Sequence, residues 1–179
     1  MNGIADLFKK RGLPAVTLLG SDAKKAALQS KDLSKYRYIH FATHALSSGD
    51  LPYLSEPSLV LSFDQNSDDA FFTLDDILAL KLDADLVVLS ACNTATGKYI
   101  AGEGPTAISR AFMYAGAKSV VASLWPVADE STAIFMQEFY AFLLQGEPQG
   151  EALRHAKLEL RRKGYQDPYF WAPFILIGY

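Results

Sequence analysis

DLVVLSACNTATGK, residues 85–98, runs from a nearly unbroken apolar stretch into small polar residues, and the only cysteine of the chain stands at the break. Leu86 through Leu89 show no polar alternation, which is how strands read when both faces of a parallel sheet are covered. Cys92 then follows the carboxyl end of a predicted strand, where open α/β sheets carry their chemistry. The residues alone leave two readings. Cys92 is a nucleophile, or it is a small apolar residue closing a buried strand.

Working outward, similar runs recur at AVTLL (15–19), YRYIHFA (36–42), SLVLSF (58–63), KSVVASL (118–124) and PFILIG (173–178), all predicted strands. Helical patterns lie between them. SDAKKAALQ is expected to start from Ser21 as N-cap and TLDDILAL from Thr73, with acidic residues in its first turn. PTAISRAFMYAG (105–116) has proline at a favourable first position and Gly116 as a stop. ESTAIFMQEFYAFLLQG (130–146) and EALRHAKLELRRKG (151–164) complete the set, after a short basic amphipathic helix in MNGIADLFKKRG. Strands alternating with helices predict an α/β fold, a mostly parallel central sheet between helical layers. Residues 45–57, 64–72 and 93–104 read as loops, and the aromatics of DPYFWAPF (167–174) as core and sheet-edge packing.

A chain of 179 residues, half of them hydrophobic and 21% charged, has the composition of one globular domain. A net charge of −3 gives no support for a nucleic-acid or anionic-membrane surface. No apolar run approaches the roughly 18 residues of a membrane span, and the N-terminus lacks a signal-peptide pattern. One cysteine excludes an internal disulfide and fits a reducing compartment, so the expected location is cytoplasmic.

A cysteine reacts as thiolate, and at its ordinary pKa of about 8.5 it needs a neighbouring base. His44 leaves the predicted strand YRYIHFA into a polar loop and is separated from Cys92 by 48 residues. Caspases space their histidine and cysteine by about 50 residues in the same order. If the two strands are neighbours, at about 4.8 Å, their ends bring the side chains within reach. His40, inside the strand, reads as a satisfied core histidine, and His155, among helix charges, as solvated. Four residues along a strand span about 13 Å, so His40 and His44 do not ligate one ion. No metal and no cofactor are expected. AGEGPTAIS lacks the third glycine of a dinucleotide fingerprint and the lysine of a phosphate loop, and reads as a flexible border of the site. No G-x-S-x-G elbow supports a serine hydrolase.

YRYIHFATHA, LVVLSACNTATG, AGEGPTAISRAFMYAGAKSVVASLWPVADEST and DPYFWAPFILIGY, in this order, resemble the CHAT domain. CHAT domains are caspase-like, related to separase and other clan CD cysteine peptidases, and are often fused to tetratricopeptide repeats. The resemblance runs from about Leu18 to Tyr179 and implies a caspase-like three-layer αβα sandwich. It implies a cysteine endopeptidase hydrolysing protein or peptide substrates, with His44 as catalytic base and Cys92 as nucleophile. The backbone N–H groups of Ala45 and Cys92 would form the oxyanion hole. In separases an L-W-x-V-x-D segment supplies an aspartate to the pocket for a basic P1 side chain, which nominates Asp129. The other reading of Asp129 is a helix N-terminal acid held by the dipole.

Two departures stand out. The family usually has glycine where this chain has Ala45, and a position needing positive φ or very close approach would strain alanine. The family's first strand has no match ahead of the N-terminal helix. Residues 1–179 are therefore expected to form a single CHAT domain lacking that strand, with an unsatisfied sheet edge. A regulatory partner such as a tetratricopeptide-repeat region follows from the same resemblance, with no nucleic-acid or membrane partner. The rival to the protease is a silent or latent caspase-like scaffold acting through protein–protein interaction. It retains both His44 and Cys92.

Overall fold

The computed structural model describes residues 2–52, 54–63, 70–90 and 104–178. In chain order the elements are α1 (Asn2–Lys10), α2 (Lys25–Gln29), β1 (Tyr38–Phe41), β2 (His44–Leu46), β3 (Ser58–Val60), β4 (Phe71–Thr73), α3 (Leu74–Leu78), β5 (Leu86–Leu89), α4 (Gly104–Tyr114), β6 (Ser119–Ser123), α5 (Asp129–Leu143), α6 (Gln149–Arg162), α7 (Pro168–Trp171) and β7 (Phe174–Gly178). They group into two compact units, one of residues 18–126 and 177–179, the other of residues 1–17 and 127–176.

The main sheet has the order β1-β5-β6-β7, and β1, β5 and β6 lie in the first unit. β1 runs parallel to β5, with Phe41 opposite Leu89, and β5 runs parallel to β6, with Leu89 opposite Ala122. Every residue of β5 and β6 is buried, which explains their unbroken apolar reading. A Cβ on Gly178 would lie 2.5 Å from the Lys118 carbonyl oxygen. The end of β7 therefore sits at the start of β6, and this last strand runs antiparallel. Phe41, Val87, Leu89, Val120 and Ala122 share a core with Ile77 of α3 and Ile108, Ala111 and Phe112 of α4. The Phe41 and Phe112 rings lie 5.2 Å apart at its centre. The result is a mixed α/β fold with a mostly parallel sheet and helices, the class expected of a caspase-like sandwich.

A second sheet, antiparallel and ordered β2-β3-β4, comes from stretches that read mostly as loops. Its strands have three residues each, too few for a period to show in the sequence. Two other expectations fail. Residues 15–19 form no strand, and Val16 and Leu19 remain 54% and 38% exposed. Apolar composition permits a strand, but the ladder partner makes it. Ser21 caps no helix. Gly20–Asp22 is a single 3₁₀ turn, and α2 begins only at Lys25. The cause lies in Ser62, whose hydroxyl donates to Gly20 O and whose N–H donates to Ala23 O, holding these residues out of helical register. Thr73 does cap α3, in a reciprocal box with Asp76. Lys25 reaches the same Asp76 at 2.7 Å and ties α2 to α3.

Gly116 ends the turn after α4 at φ 115°, and a Cβ there would meet Leu82 O at 2.1 Å. Nearby, where the parallel strands begin, Asp85 accepts from Lys118 at 2.7 Å and from Arg37 at 2.6 Å, while Ser119 Oγ donates to the Asp85 carbonyl. The Lys118 ammonium first, then the Arg37 guanidinium, hold the Asp85 carboxyl below its usual range.

In the second unit α5 turns its Phe135, Met136, Phe139, Tyr140 and Leu143 inward, and α6 its Ala152, Leu153, Ala156 and Leu160. Phe8 of α1 meets the Tyr140 ring at 5.7 Å, and Phe174 stacks on Phe135 at 4.2 Å. The Arg11 guanidinium donates to Leu144 O at the end of α5. His155 is not simply solvated. It is half-buried, with Nδ1 2.7 Å from Glu147 and Nε2 2.7 Å from Arg154. The aromatics of 167–174 divide, Phe174 being fully buried and Tyr169 46% exposed. Among the described residues no helix is long and apolar enough to cross a membrane.

Candidate active site

The condition on which the His44–Cys92 pairing rests is that their strands be neighbours, and β1 and β5 are neighbours in register. Phe41 faces Leu89, an offset of 48, the same number that separates His44 from Cys92. Each therefore follows the last paired residue of its strand by three positions. Cys92 itself lies outside the described residues, as do residues 93–103 of the expected loop bordering the site.

His44 opens β2 instead of leaving into a loop. It faces Val60 of β3 and is exposed. Just before it the Thr43 hydroxyl donates to Val60 O, fixing the chain as it passes from the main sheet to the small one. Beyond β2 the chain stays ordered by its own polar groups. Ser47 N–H donates to the Asp50 carboxylate at 2.7 Å, and Gly49, at φ 85°, donates to Leu54 O at 2.9 Å.

Ala45 is 2% exposed, opposite Leu59, with its methyl in the core shared with Phe72 and Phe41. Its backbone is part of a strand, a conformation any L-residue adopts, so alanine here carries no positive-φ strain. The positive-φ part of the concern raised by the missing glycine does not apply to this backbone.

His40 is half-buried in β1 and is held through one ring nitrogen. Its Nε2 is 2.7 Å from Ser90 Oγ, and burial pushes its pKa down to about 3, so the ring is neutral at ordinary pH. Ser90, 6% exposed, is the residue that sequence reasoning passed over. The signal was present. Laying YRYIHFA beside DLVVLSA at an offset of 48 sets the only polar side chain at the end of the second strand diagonally next to His40. Among the described residues no three His, Cys, Asp or Glu side chains group as a metal site.

Asp129 is the first residue of α5, in the other unit, and is exposed. Ala128 occupies the N-cap without a side-chain bond, so Asp129 and Glu130 supply the acidic first turn that complements the helix dipole. Its structural reading is thus satisfied whatever else it does.

The family model described as the CHAT domain matches residues 1–179, the whole chain. Tetratricopeptide repeat protein 28 of Mus musculus is 32% identical over a 192-residue alignment that covers 90% of this chain. Tetratricopeptide repeat protein 28 of Homo sapiens matches to the same extent. The chain spans 8% of the length of either relative.

Proposed function

The chain belongs to the CHAT domain family, related to caspase-like peptidases, and from that premise we propose that it is a cysteine endopeptidase built on Cys92 and His44. The observation that carries the reading is the β1–β5 register, which gives both residues the same three-residue overhang past adjacent parallel strands. His44 would take the thiol proton and the Cys92 thiolate would attack a peptide carbonyl. The developing oxyanion would be met by the N–H groups of Ala45 and Cys92. Collapse of the intermediate expels the amine, which takes the proton back from His44 and leaves an acyl-enzyme. Water, deprotonated by His44, then releases the acid and regenerates the thiol.

Asp129 is proposed to receive a basic P1 side chain. The side chain is exposed at the start of α5, and a carboxylate is the group that pairs with a basic P1 side chain. A tetratricopeptide-repeat region as regulatory partner is part of the proposal, supported by the name of the relatives. So are a single domain over residues 1–179 and a cytoplasmic setting, the latter supported by the lone cysteine.

The test is covalent labelling by peptide electrophiles bearing Arg, Lys, Asp or Leu at P1, read by intact mass. Cys92→Ala should abolish labelling, and His44→Ala should slow it by about a hundredfold or more. Asp129→Ala should erase the preference for Arg and Lys. A folded wild-type domain that labels no faster than His44→Ala would instead make this chain a silent or latent caspase-like scaffold.

A further inference from the structure

We propose that His40 and Ser90 are a positioning pair for this chemistry, a neutral hydrogen bond that fixes how the ends of β1 and β5 face each other. The proposal rests on the reading of Cys92 and His44 given above. Neither member of the pair is a catalytic residue. Both act through the chain segments they hold.

The argument starts from the sheet. His40 lies opposite Val88, and side chains alternate along a strand, so His40, Val88 and Ser90 share one face. At the level of Ser90, the next residue of β6 after Ala122 is Ser123, 2% exposed. The rest of that face on β5 and β6 is Leu86, Val88 and Val121, all fully buried, and at its far end Ser119, whose hydroxyl donates to the Asp85 carbonyl. Burying hydroxyls and an imidazole in such a setting costs stability that further aliphatic side chains would not cost. What a satisfied polar contact adds in exchange is directionality, one arrangement of the strand ends in place of several.

Ser90 is held to β1 twice. Its N–H donates to Phe41 O at 3.0 Å, and its hydroxyl meets His40 Nε2 at 2.7 Å. A single ladder bond lets the chain pivot about it, whereas a backbone and a side-chain contact together set the direction in which the chain leaves. Cys92 is two residues further on. Between β1 and β2, Thr43, one residue before His44, is anchored through its hydroxyl to Val60 O. Each residue of the dyad therefore follows a hydroxyl tied down by hydrogen bonding. Because burial keeps His40 neutral, the contact persists unchanged across the pH range in which a thiol and an exposed histidine titrate.

Since Cys92 is the only cysteine, its alkylation by iodoacetamide is read unambiguously by intact mass. The rate would be followed against pH for the wild-type protein, His44→Ala, Ser90→Ala, Ser90→Thr and His40→Gln, each with its melting midpoint. Ser90→Ala should slow alkylation in mildly acidic buffer by about tenfold, the scale of a small misplacement of reacting groups. Its thiolate midpoint should also move up toward the ordinary thiol value. Ser90→Thr, which keeps the hydroxyl, should stay within about twofold of wild type. If Ser90→Ala does not fold, His40→Gln is held to the same criterion. A wild-type pH profile in the folded pair variants, with the His44→Ala profile displaced, overturns the positioning role alone. A His44→Ala profile that coincides with wild type removes the dyad itself, and the role of the pair falls with it.

Discussion

Where β1, β5 and β6 begin, Asp85 gathers Arg37 and Lys118 in exposed ion pairs, and Gly116 admits the Leu82 carbonyl at a distance no side chain permits. Where the same strands end, the fastening is neutral and more deeply buried, with His40 against Ser90 and Thr43 against Val60 O. The first edge is held mainly by charge and by a bare backbone, with one hydroxyl, that of Ser119, donating to the Asp85 carbonyl, and the second by oriented hydroxyls without ion pairs among the described residues. Charge pairs tolerate small shifts because Coulomb attraction varies slowly with distance and angle, whereas hydrogen bonds weaken steeply off-axis. The stricter device stands at the edge that leads to His44 and Cys92.

The sharpest way to break this contrast is to damage the first edge and watch the second. Gly116→Ala places a Cβ against Leu82 O and forces alanine to φ 115°, for an expected loss of about 3 kcal/mol in chemical denaturation. Well below its melting temperature the variant should keep the wild-type alkylation profile of Cys92. A displaced profile would mean that the two edges are not separable.

Acid should distinguish the edges next. The folded pKa of His40, about 3, lies below its ordinary 6.5, so the unfolded chain binds the proton first. Stability from this group is complete above 6.5 and declines as pH falls toward 3, by about 1.4 kcal/mol per pH unit where steepest. Asp85 is also depressed, but from 3.8, so its contribution is intact above that value and is lost only in stronger acid. Between 6.5 and 3.8 the loss belongs to the His40 edge and not to Asp85. His40→Gln should therefore flatten the dependence of the melting midpoint on pH across that window. An unchanged slope would separate the acid sensitivity from this edge.

The smallest effect is expected from Asp85→Asn. Both cationic partners are largely solvated, so the midpoint should fall by about 2 °C at low salt. The difference should fade near 1 M salt, where the screening length drops to about 3 Å. A loss that persists in high salt would mean that the cluster packs as much as it pairs.

What the sequence made legible follows the same division. β5 and β6 were readable because burial on both faces leaves an unbroken apolar run, and α4 because Gly116 marks its end. Thr73 was readable as a cap because the acid three residues later completes a local motif. AVTLL misled because its composition is that of a strand while pairing is a property of two segments. HAL and FFT were missed for the converse reason, three residues carrying a ladder without a pattern. Of the candidate site, His44 was legible by type and its strand was not. Ser90 was hidden because its partner is fifty residues away, and only the register connects them.

That register has a bearing on how such sites can be searched for and altered. The separation of 48 positions from His44 to Cys92 is a count along the chain, but the sheet does not measure chain length. It measures from Phe41 and Leu89 outward. Residues added to the connection between β1 and β5 would change the count and leave both overhangs at three. One residue added between Phe41 and His44 would keep β1 and β5 and lengthen the histidine's overhang to four. Distance from the last ladder pair, not spacing in the sequence, is the coordinate in which the two positions are defined.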